Sequence, residues 1–411
     1  MNFTNKIFSI LKSQLYTLSL YCRQLAGTLS VLLIARYLAV YDFGLFSSYK
    51  SISSFCLLFA NLDFDHYILV SSKANMHDVK LKVSLLITNA IFLILLVSTG
   101  SLLLGLENHI LFILVLLRTF FDTTFFSLVL PHFQASGKFM KISKINISYG
   151  ICISLIAIIS YIFKFSLTKF LILSICAGTI NFIQCTFFSK INFVMPFVYL
   201  KRFIQKIDKQ IFTYIASSIT SYLYAQLSAL YVAVFLPKEQ AALFFAANTI
   251  AMFPTLFTAA QVQKMLPELI KTSPVNHSKI IRKNITILVS FFILIFIFFT
   301  FLGKWLLKLI YLKDYYLNAH VILLLLMLAY TFIGISTIYG AHITAAGKQI
   351  VKVKVKVEAS VITVISLISL YKFGISGAAM SVAVSGFYTA LRYALWSIKI
   401  RKNLQEVKTN E

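Results

Sequence analysis

Long apolar runs, separated by short basic stretches, recur along the whole chain. A helix needs roughly 20 mainly apolar residues, rising about 1.5 Å each, to cross about 30 Å of hydrocarbon. This pattern predicts about twelve transmembrane helices: 15–37, 44–67, 82–104, 109–130, 146–164, 168–188, 211–235, 241–262, 284–303, 319–341, 357–372 and 376–397. The loops between these runs are too short to form folded domains, so we expect an all-α integral membrane protein.

The composition supports this interpretation, because 59% of the 411 residues are hydrophobic and only 12% are charged. A soluble domain carries about 25% charged residues. A soluble enzyme, a disordered chain and a disulfide scaffold are therefore excluded. The five cysteines lie within apolar runs and lack the spacing of metal ligands, so we expect no metal site.

The net charge of +25 comes from 38 Lys and Arg residues against 13 Asp and Glu. Most of these basic residues lie at the two ends of the chain and in every second loop. An excess of Lys and Arg marks the cytoplasmic side of a membrane protein, which predicts that both termini are cytoplasmic. The charges are topology signals rather than a nucleic-acid-binding face, so we expect no nucleic-acid partner.

A weak repeat divides the chain into two halves. Ser136-Gly137-Lys138 follows the fourth predicted helix and Ala346-Gly347-Lys348 follows the tenth, and a Lys-rich stretch comes after each. Six helices per half give both halves the same orientation, as in transporters whose repeats are related by an axis along the membrane normal. We therefore expect two six-helix lobes, with these boundaries: lobes 1–196 and 211–398, an amphipathic linker helix 197–210, and a cytoplasmic tail 399–411.

Several motifs resemble one transporter family. Ala35-Arg36-Tyr37-Leu38, followed by Asp42-Phe43-Gly44-Leu45-Phe46, resembles the segment that joins the first two helices of Wzx-type polysaccharide flippases. Further similar segments are Asn61-Leu62-Asp63, Phe133-Gln134-Ala135-Ser136-Gly137-Lys138, Phe244-Phe245-Ala246-Ala247-Asn248 and Pro267. These flippases share a superfamily with MATE drug exporters and lipid II flippases. Many relatives carry an acidic–basic pair early in the seventh helix, where this chain has Gln226-Leu227-Ser228-Ala229, so no role of that pair is transferred.

The resemblance implies that the protein moves an undecaprenyl-pyrophosphate-linked oligosaccharide, an O-antigen or capsule repeat unit, across the bacterial cell inner membrane. Its implied partners are this lipid-linked oligosaccharide, the membrane lipids, and the polysaccharide polymerase and chain-length proteins. Two alternatives stay open: a MATE-like ion-coupled exporter of organic cations, and a structural scaffold for glycan assembly.

Ionisable residues inside the predicted helices are the main candidates for function. Each costs about 2.5–3.5 kcal/mol on insertion scales, so such residues usually face a cavity. Arg23, Lys50 and Arg118 lie in the first, second and fourth helices, with Asp122 one turn after Arg118. Arg118 and Asp122 fit either a substrate site or an internal salt bridge. Arg392 lies near the inner end of the twelfth helix and is expected to extend toward the interface.

The sign of these charges favours an anionic substrate. Arg binds phosphate through two parallel hydrogen bonds and Lys binds it as a point charge, whereas an exporter of cations needs buried carboxylates. The first half of the chain contains three deep cations and one acid. Asp63 and Asp65, at the cytoplasmic mouth of the second helix, are candidates together with Asp122 for ion coupling or gating.

The seventh predicted helix carries hydroxyl and aromatic groups on one face, with Gln226 nearby: Tyr214, Ser217, Ser221, Tyr224, Ser228 and Tyr231. Such a face fits either sugar rings or ordinary contacts between helices. Tyr224 and Gln226 are therefore candidate substrate-binding residues. In the eighth helix, Pro254 is expected to produce a kink.

No catalytic constellation and no phosphate-binding loop for ATP is present in the sequence. We therefore expect a transporter rather than an enzyme, with no bound cofactor. An H+ or Na+ gradient, or downhill consumption of the product, would then drive transport.

Overall fold

A computed structural model describes residues 3–61, 76–103, 108–124, 133, 138–189, 209–272 and 277–409. These ranges contain helices and no strand. The thirteen α-helices are α1 (Phe3–Tyr37), α2 (Val40–Asn61), α3 (Met76–Leu103), α4 (His109–Thr119), α5 (Phe139–Ile162), α6 (Leu167–Ser189), α7 (Lys209–Phe235), α8 (Lys238–Ala251), α9 (Thr255–Lys271), α10 (His277–Tyr311), α11 (His320–Ala345), α12 (Gln349–Ser369) and α13 (Gly374–Thr409). A π-helical turn, Phe120–Thr124, follows α4, and short 3-10 turns occupy Asp314–Ala319 and Tyr371–Phe373.

Within the described residues the predicted transmembrane segments coincide with helices, and the eighth segment is divided between α8 and α9. The division lies at Pro254, which follows a turn at residues 252–253. Proline has no backbone N–H and its ring clashes with the preceding turn, so the predicted kink is confirmed as a complete break. Five stretches among the described residues are long and apolar enough to cross a membrane: Met140–Ile162, Leu167–Cys185, His277–Tyr311, Asp314–Ala345 and Tyr371–Ile400. The number of crossings and the cytoplasmic termini stay predictions.

The segment 351–357, in which Val and Lys alternate, is helical and belongs to α12, which begins eight residues before the predicted start at 357. Val351, Val355 and Ala359 are buried one turn apart, so their packing fixes the helical period. The predicted tail 399–411 continues α13 as far as Thr409. The linker helix predicted at 197–210 lies outside the described residues up to position 208, and its last two residues begin α7.

The chain forms two compact units, Met1–Ile215 and Ala216–Glu411. In the first unit, α1 packs along α5, α2 contacts α3 and α4, and α6 contacts α4 and α5. In the second unit, α11 is central and contacts α8, α9, α10 and α13, while α12 packs on α13. The predicted lobe boundaries at 196 and 211 stay predictions.

Gly150 determines how closely α1 and α5 approach each other. A Cβ atom at this position would lie 3.4 Å from the Cys22 carbonyl oxygen and 3.6 Å from the Ala26 Cβ. Small residues at helix interfaces allow such close approach of two backbones. The α1–α5 contact therefore tolerates a methyl group at position 150 and excludes a larger side chain.

We predict that Gly150→Leu lowers the free energy of unfolding by about 1–3 kcal/mol, because overpacking separates α1 from α5. Gly150→Ala should be close to neutral. Gly100→Leu is the matched control, since nothing lies within 4 Å of a Cβ at that position. Thermal unfolding in detergent measures all three, and equal midpoints for Gly150→Leu and Gly100→Leu would contradict this account.

Candidate functional site

Arg118, at the end of α4, is a buried cation that is contacted from several sides. Its Nε lies 3.2 Å from Asp122 Oδ2, and its Nη2 donates to Ser30 Oγ at 3.1 Å. The guanidinium also lies over two aromatic rings, 4.5 Å from the centroid of Phe170 and 5.4 Å from that of Phe46. Only 4% of Arg118 is exposed. The ion pair, the hydroxyl and the ring faces together hold a buried positive charge in one orientation.

Asp122 lies in the π-helical turn that follows α4, and it binds two arginines in two different ways. Its carboxylate pairs with Arg118, while its backbone carbonyl accepts a hydrogen bond from Arg23 Nη2 at 2.7 Å. In an α-helix that carbonyl would be directed to a backbone N–H four residues ahead, so the wider turn makes the second contact accessible. Single π-helical turns are frequent at functional sites.

Arg23 lies at the interface of α1 and α5 and is 9% exposed. Its Nη1 donates to Asn146 Oδ1 at 3.4 Å, and its guanidinium lies 4.4 Å from the ring centroid of Tyr149. Asn146 in turn donates to Ser19 Oγ at 3.4 Å. The sequence indicated a cavity position for Arg23; in this conformation its side chain is enclosed by helices instead.

Lys50, on α2, is exposed and interacts electrostatically with Arg118 and Asp122. Among the described residues, no hydrogen bond or ion pair engages its ammonium group. The hydroxyls of neighbouring buried serines on α2 also have no hydrogen-bond partner within the described ranges: Ser48, Ser51 and Ser53. The three N–H donors of Lys50 are therefore available to a ligand that reaches this face of α2.

We use the name cationic cluster for Arg23, Lys50, Arg118 and Asp122, which together carry three positive charges and one negative charge. Two of its buried polar atoms, Arg118 Nη1 and Asp122 Oδ1, have no partner in the described part of the chain. The hydroxyl of Tyr37, which interacts electrostatically with Arg118, also has no hydrogen-bond partner among the described residues. A buried polar atom without a partner costs about 1–3 kcal/mol, and a bound ligand offsets that cost.

The other candidates lie in the second unit or outside the described residues. Tyr224 and Gln226 are partly buried on α7. Of the predicted hydroxyl face of α7, Ser228 lies 2.8 Å from Ser381 on α13, and Ser221 accepts a hydrogen bond from Lys356 on α12. The side chains of Tyr214 and Ser217, and the whole of Asp63 and Asp65, lie outside the described residues. Part of the hydroxyl face therefore connects helices.

A second charged group was missed by the sequence analysis. Glu358 on α12 pairs with Arg392 on α13, with Nε–Oε2 and Nη2–Oε1 distances of 3.2 and 3.3 Å, and it accepts a hydrogen bond from Tyr388 at 2.7 Å. The guanidinium of Arg392 is thus held by a carboxylate, and its expected extension to the interface stays a prediction. Glu358 lies within the predicted helix 357–372, so the acid was visible in the sequence but its partner on α13 was not.

The described ranges contain no group of three or more His, Cys, Asp or Glu side chains arranged to hold a metal ion. The chemistry of the cationic cluster is instead that of an anion site, in which guanidinium and ammonium groups bind the oxygen atoms of a phosphate or carboxylate.

The sequence matches no protein-family model and no curated protein. The structure is similar to the lipid II flippase MurJ in an inward closed conformation, with a TM-score of 0.74, 15% identity, and coverage of 95% of this chain and 90% of that chain. It is also similar to the eukaryotic MATE transporter AtDTX14, with a TM-score of 0.61, 14% identity, and coverage of 97% and 99%. A third similar structure is that of a MOP superfamily transporter from Pyrococcus furiosus, with a TM-score of 0.62, 12% identity, and coverage of 96% of each chain.

These neighbours are transporters or flippases, and at 12–15% identity the comparison shows a shared fold. The likeness covers nearly the full length of each chain. The protein therefore shares its fold with MATE transporters and with the lipid II flippase MurJ.

Proposed function

We propose that the protein is a flippase for undecaprenyl-pyrophosphate-linked oligosaccharide in a bacterial inner membrane, as the resemblance to Wzx-type flippases implies. The substrate would be an O-antigen or capsule repeat unit. The observation that carries the proposal is the cationic cluster, in which an exposed Lys50 lies beside a buried Arg118–Asp122 pair. The similarity to MurJ, whose structure is described as that of a lipid II flippase, supports a lipid-linked substrate.

The charge balance of the cluster favours a diphosphate over an organic cation. The one carboxylate of the cluster already pairs with Arg118, so a cationic substrate would meet a net positive field. A pyrophosphate group offers several oxygen acceptors to the Lys50 ammonium and to the unpartnered Nη1 of Arg118. In this proposal the substrate phosphates complete the hydrogen bonds that the resting protein leaves unmade.

Asp122 competes with the substrate phosphate for Arg118, which makes it a candidate gating residue. When the diphosphate binds Arg118, the carboxylate is released, and the π-helical turn that also binds Arg23 becomes free to change. Tyr224 and Gln226 are assigned to the sugar, because an aromatic ring and an amide suit ring stacking and hydrogen bonding. The polymerase and chain-length proteins complete the proposed set of partners.

We predict that Lys50→Gln lowers the rate of flipping about tenfold, because a charge-assisted hydrogen bond is worth about 1.5–3 kcal/mol. The measurement uses proteoliposomes that contain a fluorescent undecaprenyl-pyrophosphate disaccharide, whose outer-leaflet fraction is read by chemical quenching. Lys169→Gln is the matched control, since Lys169 is an exposed lysine on α6 outside the cationic cluster.

The same vesicles distinguish the flippase from a MATE-like exporter and from a scaffold. Uptake of ethidium without flipping of the labelled lipid would identify the exporter. Absence of both activities, with normal glycan display in cells that carry Lys50→Gln, would identify the scaffold.

A charge exchange separates the substrate role of Arg118 from a purely structural salt bridge. We predict that Asp122→Ala lowers stability by about 3–5 kcal/mol, because it leaves Arg118 as a buried charge without a counter-charge. The combination of Arg118→Asp with Asp122→Arg should regain part of this stability and no transport. The reason is that the guanidinium leaves the rings and the hydroxyl that position it.

Thermal unfolding and the flipping assay are measured on the same preparations. The control exchanges Glu358 and Arg392, an ion pair of the second unit outside the proposed site, and should retain transport. Recovery of most transport by the exchanged Arg118–Asp122 pair would show that this pair is structural only.

A further inference from the structure

The fifth helix of the first unit and its counterpart in the second unit share one pattern of burial. Counted from Gly137-Lys138 and Gly347-Lys348, four equivalent positions are buried in each helix: Ile145, Tyr149, Ile153 and Ala157 on α5, and Val355, Ala359, Thr363 and Leu367 on α12. In this register Asn146 corresponds to Lys356, and Gly150 corresponds to Ser360.

The helices that begin the two units correspond in the same way. Buried runs open the next helix of each unit, Phe43–Phe46 in α2 and Ala241–Phe244 in α8. Arg23 precedes the first run by as many residues as Ser221 precedes the second. The Arg23–Asn146 hydrogen bond of the first unit therefore corresponds to the Lys356–Ser221 hydrogen bond of the second. A cation occupies the same junction in both units, but it comes from opposite helices.

The two junctions differ in how closely their helices pack. In the first unit, Gly150 lets α5 contact α1 along its length. In the second unit, residues of α7 and α12 line an open groove of about 510 Å³. The groove is lined almost entirely by apolar groups, including Leu230, Tyr231 and Val234 of α7 and Val364, Leu367 and Ile368 of α12.

The Lys356–Ser221 contact and the groove lie along the same two helices, α7 and α12, and we call this line the seam. Leu367 follows Lys356 by three helical turns on the same face of α12, a distance of about 16 Å along the axis. Tyr231 belongs both to the groove and to the predicted hydroxyl face that contains Ser221. With the predicted cytoplasmic termini, α12 runs outward, so Lys356 lies on the cytoplasmic side of the groove. From the cytoplasmic side outward, the seam thus presents a positive charge and then the apolar groove.

We propose that this seam is a lipid-loading site, in which Lys356 binds the phosphate of a polyisoprenyl-phosphate lipid and the groove holds part of its chain. The proposal rests on the proposed function and names the part of that substrate that the second unit binds. A single groove between two helices fits a single chain, whereas a phospholipid has two. A lipid bound in this way has its phosphate toward the cytoplasm and its chain toward the membrane centre. This is the orientation of a lipid in the inner leaflet, before it is transferred.

The test is the binding of undecaprenyl phosphate, which carries no sugar, to the purified full-length chain by native mass spectrometry. Lys356→Gln and Leu367→Trp should each weaken binding about tenfold, through loss of the charge and through filling of the groove. Lys356→Arg should retain most of the affinity, because the charge is kept. Ile365→Trp is the matched control, since Ile365 is exposed on α12 outside the groove.

Two results would overturn the proposal. One is unchanged affinity in both Lys356→Gln and Leu367→Trp; the other is binding of phosphatidylglycerol as tight as that of undecaprenyl phosphate. These results leave the proposed function standing, because the wild-type chain still binds the carrier lipid. If the wild-type chain does not bind undecaprenyl phosphate at all, the proposed function fails together with the seam. Thermal unfolding of Leu367→Trp against Ile365→Trp separates loss of the fold from loss of the site.

Discussion

The constraint on which the first unit depends is the burial of a positive charge where water is excluded. Removing an arginine from water costs several kcal/mol unless its hydrogen bonds are replaced in good geometry. Arg118 meets this cost through Asp122, Ser30 and the face of Phe170. Because the carboxylate of Asp122 pairs with Arg118 and its backbone carbonyl binds Arg23, one residue connects α1 to the end of α4. The π-helical turn at Phe120–Thr124 makes both contacts from Asp122 compatible. A change of the group that binds Arg118 would therefore also alter the hydrogen bond between Asp122 and Arg23.

The two units share one pattern of buried helix positions but differ in what the corresponding helices enclose. Both place a cation where two helices meet, as Arg23 with Asn146 between α1 and α5 and as Lys356 with Ser221 between α7 and α12. The first junction is closed by Gly150, whereas the second opens into an apolar groove. A lipid-linked diphosphate has a charged part and an apolar part, and a protein that transports it has to bind both. In the proposed function the diphosphate binds the cationic cluster, and the lipid is loaded at the seam between α7 and α12.

The sequence was sufficient for features that depend on local pattern. Apolar runs located the helices, Pro254 located the break between α8 and α9, and the four-residue spacing of Arg118 and Asp122 anticipated their ion pair. Features that depend on tertiary geometry were missed. The hydrogen bond from Arg23 to the Asp122 carbonyl needs the π-helical turn, which no periodicity indicates. The pairing of Glu358 with Arg392 depends on how α12 packs on α13, which no local pattern indicates.

The most direct measurement of the central claim is the binding of inorganic pyrophosphate to the purified chain, by calorimetry at low and high salt. If the cationic cluster is a diphosphate site, the wild-type chain binds pyrophosphate, Lys50→Gln binds it about tenfold more weakly, and added salt weakens both by screening. Tetraphenylphosphonium, an organic cation, should not bind at this cluster or displace the pyrophosphate. Equal pyrophosphate affinity for the wild type and Lys50→Gln, with tetraphenylphosphonium bound in its place, would contradict the account.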